Sequence, residues 1–322
     1  MFRIGIVGGG AFGTAMACVL RRAGAQVRLW AREPEVVEAI NERGTNPRFL
    51  DGVALPAGIE ATSSLAHAAQ NAELVLLAPP AQHMRALARA LAPHLAHGIP
   101  VISCSKGMER ATLSLMPALL GEELPGRPVA VLSGPSFARE IARGLPCAVM
   151  LACQDPSEAA RIARALSGPR FRAHPTDDVA GVALGGVMKN VIAIASGIAA
   201  GRGLGENARA SLAALGLEEA QRLGLALGAR AGTFLGLAGA GDVMLTAASL
   251  QSRNTALGVA LGEGKPPPAV LTEGMGSAAA VAALARRLDV PMPLTSALEC
   301  ALERKDVDEA LRRLLELLAG PA

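Results

Sequence analysis

The stretch RIGIVGGGAFGTAMACVLRR, residues 3–22, constrains the fold more than any other. A short apolar run at 3–7 ends on Gly8-Gly9-Gly10-Ala11-Phe12-Gly13, and apolar residues then recur at helical spacing over 11–22. The pattern is strand, glycine turn, helix, with G-x-G-x-x-G at the junction. Gly8 would make the tight turn, Gly10 would let the backbone approach a pyrophosphate, and Gly13 would let helix and strand pack closely. The helix that opens at Ala11 would offer unpaired N–H groups and a partial positive charge to phosphates.

The alternation continues. Further strands are expected at 26–30, 73–78, 100–103, 128–132, 147–152 and 171–173, with helices at 33–43, 81–91, 112–120, 136–143 and 156–166. Apolar strands separated by helices predict an α/β, Rossmann-like, doubly wound and mostly parallel sheet, covered on both faces. Near residue 178 the pattern changes. Almost everything beyond is Ala- and Leu-rich with helical spacing, at 180–200, 206–226, 230–236, 240–248, 252–262, 273–287, 293–303 and 306–318. The expected domains are therefore 1–178, binding a dinucleotide, and 179–322, all helical. A chain of 322 residues suits two domains of roughly 100–200 each.

Composition narrows the function. The chain is 51% hydrophobic and 18% charged, with a net charge of +3. No uninterrupted apolar run reaches the roughly 18 residues of a spanning helix, and the N-terminus lacks the basic start and cleavage site of a signal peptide. With six Phe, one Trp and no Tyr, there is no aromatic platform for nucleic acid. The five Cys and five His lack metal-ligand spacing, so no metal is expected and the thiols read as buried residues in a reducing cytosol.

Several residues carry chemistry. At the tip of the second strand, Arg32 could pair a 2′-phosphate, and Glu33 is either a ribose acceptor or the first acid of the next helix. The balance favours NADPH, with NADH also accepted. Residues 184–197, LGGVMKNVIAIASG, hold a single charge, Lys189, in a chain where only four of 31 basic residues are Lys. A desolvated Lys can act as a general acid or base, which Arg cannot; the alternative is a packed stem with its head in water. Gly185 and Gly186 leave a small face beside it, which would let a flat ring or small substrate come close to the ammonium. Asp242, in GAGDVMLT, is the expected partner for Lys189. Ser252-Arg253-Asn254 suits a phosphate, or else Ser252 is a helix N-cap. Lys106 and the segment SGPSFARE at 133–140 follow strands, where ligands bind in parallel sheets; Pro135 would open a helix.

Taken together, GGGAFGTAMA, LWARE, NPRFL, SKGME, SGPSFAREIARGLP, GGVMKNVIAIASGIAAG, GENAR, GLAGAGDVMLT and QSRN resemble bacterial-type NAD(P)-dependent glycerol-3-phosphate dehydrogenase nearly end to end. The resemblance implies reversible hydride transfer between NAD(P)H and dihydroxyacetone phosphate, giving glycerol 3-phosphate for phospholipid synthesis in a cytoplasmic homodimer. It implies that Lys189 exchanges a proton with the C2 oxygen and that Lys106 contacts substrate and cofactor. Gly134 and Ser136 would line the substrate site, with Ala138 near the cofactor. Asp242, Ser252, Arg253 and Asn254 would hold glycerol phosphate, Arg253 also touching the dinucleotide. Gly8, Gly10, Ala11, Phe12, Gly13 and Arg32 would contact the cofactor, with Leu271 and Glu273 closing over it.

Three segments depart from the family pattern. Ala214-Leu215-Gly216 stands where the family has Thr-Arg-Gly, Met275-Gly276-Ser277 where it has Tyr or Val and Thr, and Pro80 where it often has Ser. The rival readings are a β-hydroxyacid or ketopantoate dehydrogenase of similar architecture, and a non-catalytic NAD(P)-binding regulatory module.

Overall fold

A computed structural model describes residues 2–266, 273–303 and 306–319. The chain forms two compact units, residues 1–105 with 116–179, and residues 106–115 with 180–322.

The first unit holds an eight-stranded sheet. Its strands are β1 Arg3–Val7, β2 Gln26–Trp30, β3 Ile59–Thr62, β4 Leu74–Leu77, β5 Val101–Ser103, β6 Val129–Ser133, β7 Cys147–Cys153 and β8 Phe171–Thr176, in the order β3-β2-β1-β4-β5-β6-β7-β8. The order reverses between β1 and β4, so a crevice is expected at the carboxyl end of β1, where the glycine loop lies. Both faces are covered. Ile4, Ile6, Leu74 and Leu76 enter one core with Met16 and Leu20 of α1 (Ala11–Arg22) and Ile162 of α7 (Pro156–Leu166). Val7, Val75 and Leu77 enter the other with Met84 and Leu91 of α4 (Met84–Leu91) and Leu119 of α5 (Met116–Glu123). Two-sided burial explains why these strands read as continuous apolar runs.

The sheet departs from the sequence reading in three places. Strand β3 and helix α3 (Leu65–Ala69) were not expected, because the segment is short and mixes polar with apolar residues. Strands β6 and β7 pair antiparallel. The helix between them, α6, spans only Ala138–Ala142; at about 1.5 Å per residue it is much shorter than the strands it would have to run back along in a parallel crossover. Finally, α6 starts at Ala138 and not at Pro135. The Ser136 hydroxyl donates to the Gly134 carbonyl at 2.9 Å, and Phe137 is extended at φ −63, ψ 123.

The second unit is helical except for its excursion from the first half. Met108 and Leu115 form an isolated antiparallel bridge, and Met108 is buried with Leu184, Val187 and Phe234. The sequence reading placed 106–115 in the first domain and began a helix at 112; the bridge, with Leu113 at φ +60, delays that helix to Met116. The expected helices are present as α8 Val179–Gly201, α9 Gly205–Ala226, α10 Ala231–Leu235, α11 Asp242–Ala247, α12 Arg253–Gly262, α13 Glu273–Arg287, α14 Pro293–Glu303 and α15 Val307–Ala319. A single π-type turn, Leu237–Gly241, precedes α11.

Helix α8 is long and apolar enough to cross a membrane by length and composition, but 94% of its most apolar window is buried inside the protein. It is a core helix. Its small residues serve backbone contact: a Cβ added at Gly197 would fall 2.4 Å from the Thr255 carbonyl oxygen, and one at Gly201 2.3 Å from that of Val259. Leu215 is partly buried against the apolar cluster that includes Val191, Ile194 and Ile198 of α8, while Ala214 is exposed. A hydrophobic contact thus occupies the position where the family pattern has Arg. The buried Glu219 on α9 accepts from Leu294 N at 2.5 Å and Thr295 N at 3.0 Å, capping α14 from a neighbouring helix.

Candidate active site

In the first unit the glycine loop takes the shape its spacing requires. Gly8 has φ +127, and a Cβ there would lie 2.8 Å from the backbone of Ala78. A Cβ at Gly13 would fall 1.9 Å from the Gly8 carbonyl oxygen, whereas one at Gly10 would meet nothing within 4 Å. Gly10 is the N-cap of α1 and supplies no side-chain cap, and the first turn carries no acid. The helix N-terminus therefore retains donors and its positive end. A closed turn with open space over Gly10 fits a pyrophosphate.

Ala11, Phe12 and Ala138 pack on the same apolar cluster. Arg32 is exposed at the tip of β2, where its guanidinium pairs with the Glu33 carboxylate at 2.8 Å. Gly134 has φ +142, and a Cβ there would press on Val149 Cα at 3.0 Å.

In the second unit three charged groups converge. Asp242 is 1% exposed, with Oδ2 2.5 Å from Lys106 Nζ and Oδ1 3.5 Å from Lys189 Nζ. Asp242 opens α11 just after the π-type turn, and Lys189 lies midway along α8. Such turns frequently mark functional positions. Thr246, one helical turn beyond Asp242, accepts from Lys189 Nζ at 3.2 Å and donates to Asp242 Oδ1 at 3.2 Å. Burial, the largest influence, pushes the Lys189 ammonium down from 10.5 to about 8. The Asp242 carboxylate opposes that shift, while the positive charges of Lys106 and Arg253 add to it. Burial pushes the Asp242 carboxyl up, but Lys106 and then Lys189 outweigh it and hold it below the usual carboxylate range. The arrangement can present an ammonium able to lose its proton near neutral pH, beside a second ammonium, with one carboxylate between them.

Uncharged residues extend the cluster. Asn190 Nδ2 donates to the Lys106 carbonyl at 2.8 Å, and Asn254 Nδ2 donates to Asn190 Oδ1 at 2.8 Å. Asn254 Oδ1 in turn accepts from Gly274 N at 3.1 Å, next to Glu273 at the start of α13. Ser252 caps α12, accepting from Thr255 N at 3.2 Å, and Arg253 is the exposed first residue of that helix. Leu271 lies outside the described residues.

Two expectations change. Lys106 approaches Asp242 more closely than Lys189 does, although the sequence suggested only the latter pair. Gly185 does not clear space for a ligand: a Cβ there would fall 2.4 Å from the Ala238 carbonyl oxygen, so it admits the backbone of the π-type turn. Asn190 and Thr246 were missed as site residues. The signals were present, an amide directly after the lone Lys and a hydroxyl four residues after the lone Asp.

The chain is similar to known proteins of one family along most of its length. Residues 3–159 match the family model for the NAD-dependent glycerol-3-phosphate dehydrogenase N-terminus, and residues 178–312 match that for its C-terminus. A glycerol-3-phosphate dehydrogenase of Caulobacter vibrioides, named as using NAD(P)+, is 48% identical over 320 residues, covering 97% of this chain and 96% of its own. One of Paramagnetospirillum magneticum is 54% identical over 254 residues, covering 79% and 92%. The crystal structure of a glycerol-3-phosphate dehydrogenase from Coxiella burnetii superimposes with a TM-score of 0.92 at 35% identity, covering 98% of both chains. The chain belongs to the NAD-dependent glycerol-3-phosphate dehydrogenase family.

Proposed function

We propose that this protein interconverts dihydroxyacetone phosphate and glycerol 3-phosphate with NAD(P)H, using Lys189 as the proton donor and acceptor. The observation that carries the proposal is the pairing of Lys189 and Lys106 with the one buried carboxylate of Asp242, in a chain of this family. When bound, the dinucleotide supplies hydride for reduction and takes it back in oxidation. Gly8, Gly10, Gly13 and the N–H groups from Ala11 onward would hold its pyrophosphate, with Phe12, Ala138 and Arg32 around it; for Arg253, Leu271 and Glu273 as further contacts the support is the sequence resemblance alone.

In the reductive direction Lys189 Nζ donates a proton to the C2 oxygen as negative charge develops there, assistance typically worth ~10²–10⁴-fold. Lys106 adds a second positive charge, and Asp242 favours the charged form of Lys189 and holds both side chains in place. Arg253 and the N-terminus of α12 grip the substrate phosphate, with Asn254 alongside. The sequence resemblance adds Gly134 and Ser136 to the substrate site. In the oxidative direction neutral Lys189 takes the proton from the C2 hydroxyl. The sequence resemblance supports a cytoplasmic homodimer that supplies glycerol 3-phosphate for phospholipid synthesis.

The test is an assay of NADPH and NADH oxidation with dihydroxyacetone phosphate, and separately with 2-ketopantoate. Turnover with the phosphorylated ketone alone is expected. Turnover confined to 2-ketopantoate would overturn the substrate, and binding of dinucleotide without any turnover would overturn the enzyme reading.

A further inference from the structure

We propose that Asn46, far from any phosphate-binding motif in sequence, is a positioning residue for the dinucleotide site. The inference rests on the reading of the glycine loop as that site.

Asn46 lies between α2 (Pro34–Arg43) and β3, and its side chain is wholly buried. Its Nδ2 donates to the Gly9 carbonyl at 2.9 Å and to Thr14 Oγ1 at 2.8 Å. Thr14 Oγ1 donates to the same Gly9 carbonyl at 3.2 Å. Asn46 is fixed from its own side, since Oδ1 accepts from Phe49 N at 3.3 Å and its carbonyl from Leu50 N at 2.8 Å. The Gly9 carbonyl is thus held by two buried side chains, one from α1 and one from the loop after α2.

The consequence follows from peptide geometry. In a planar trans peptide the carbonyl of one residue and the N–H of the next point in opposite directions. With the Gly9 carbonyl held inward, the Gly10 N–H is turned the other way. Gly10 is also the position where an added Cβ meets open space. A Gly-Gly peptide is poorly restrained by sterics, because glycine tolerates both signs of φ. If it flipped, a carbonyl oxygen would face the phosphates in place of an N–H donor. Asn46 and Thr14 hold the donor orientation before any ligand arrives, and such preorganisation is realised as affinity.

The test measures Kd for NADPH and for ADP-ribose, which keeps the pyrophosphate and lacks the nicotinamide. In Asn46→Ala both Kd values should rise at least tenfold, with a much smaller change in kcat at saturating NADPH. Thr14→Val should weaken both ligands, and Thr14→Ser, which keeps the hydroxyl, should restore them. A folded Asn46→Ala protein with unchanged Kd for ADP-ribose would overturn the proposal. So would a Thr14→Ser protein as weak as Thr14→Val, a comparison that decides the matter if Asn46→Ala does not fold. Failure of the unsubstituted protein to bind either ligand would instead overturn the dinucleotide reading itself.

Discussion

Asp242 Oδ1 lies 3.5 Å from Lys189 Nζ while Oδ2 of the same carboxylate lies 2.5 Å from Lys106 Nζ. One buried anion therefore serves two ammonium groups, and removing its charge affects both. In Asp242→Asn, Lys189 loses the charge that opposes desolvation, and its proton should leave below about 8. Turnover in the reductive direction at pH 7 should fall by roughly 10²-fold or more, with the pH midpoint displaced downward. An unchanged midpoint would separate Asp242 from Lys189 electrostatically.

The two reaction directions should have opposite pH dependence. Reduction needs the charged form of Lys189 and oxidation the neutral form. With Lys189 at about 8, the reduction rate should fall as pH rises through that value, and the oxidation rate should rise. Parallel profiles, or a shared midpoint near the ordinary lysine value, would contradict the role of Lys189.

The same burial predicts a conflict between stability and activity. A lysine whose pKa drops from 10.5 to about 8 on folding destabilises the native state fully below the folded value. The penalty is relieved as pH rises from there toward 10.5. Lys189→Met removes it and leaves Asp242 paired with Lys106. The variant should be more stable at pH 7, by up to about 3 kcal/mol, with the difference shrinking toward pH 10. Calorimetry across that range checks the sign.

Gly185→Ala tests how Asp242 is placed. The added methyl would fall 2.4 Å from a backbone oxygen of the π-type turn, which cannot yield as a side-chain tip would. Overpacking of this kind costs about 1–3 kcal/mol, and displacing the turn moves Asp242 with it. Melting temperature and kcat should fall together, while Kd for NADPH holds. Normal kcat would show that the turn does not position the carboxylate.

How far the sequence revealed this molecule depends on the kind of signal each residue carries. β1 and β4 were legible because both faces are buried, so that apolar residues fill LVLL and follow Arg3 in RIGIV. β3 was not, since its four residues IEAT alternate too briefly. The antiparallel β7 was hidden because the sequence pattern extends the preceding helix over 136–143, whereas the structure confines it to Ala138–Ala142. Lys189 and Asp242 stood out as lone charges among apolar residues. Asn46, Asn190 and Thr246 are uncharged, and a buried amide or hydroxyl looks the same in sequence as an exposed one. Gly185 was noticed for the right reason, its missing side chain, but only the structure identifies what fills the space.

The most direct measurement is single-turnover reduction of dihydroxyacetone phosphate by Lys189→Met, alongside its Kd for NADPH. Proton donation from Lys189 predicts a rate reduced by ~10²–10⁴-fold with NADPH affinity retained. A rate near that of the unsubstituted protein would show that the proton comes from another group.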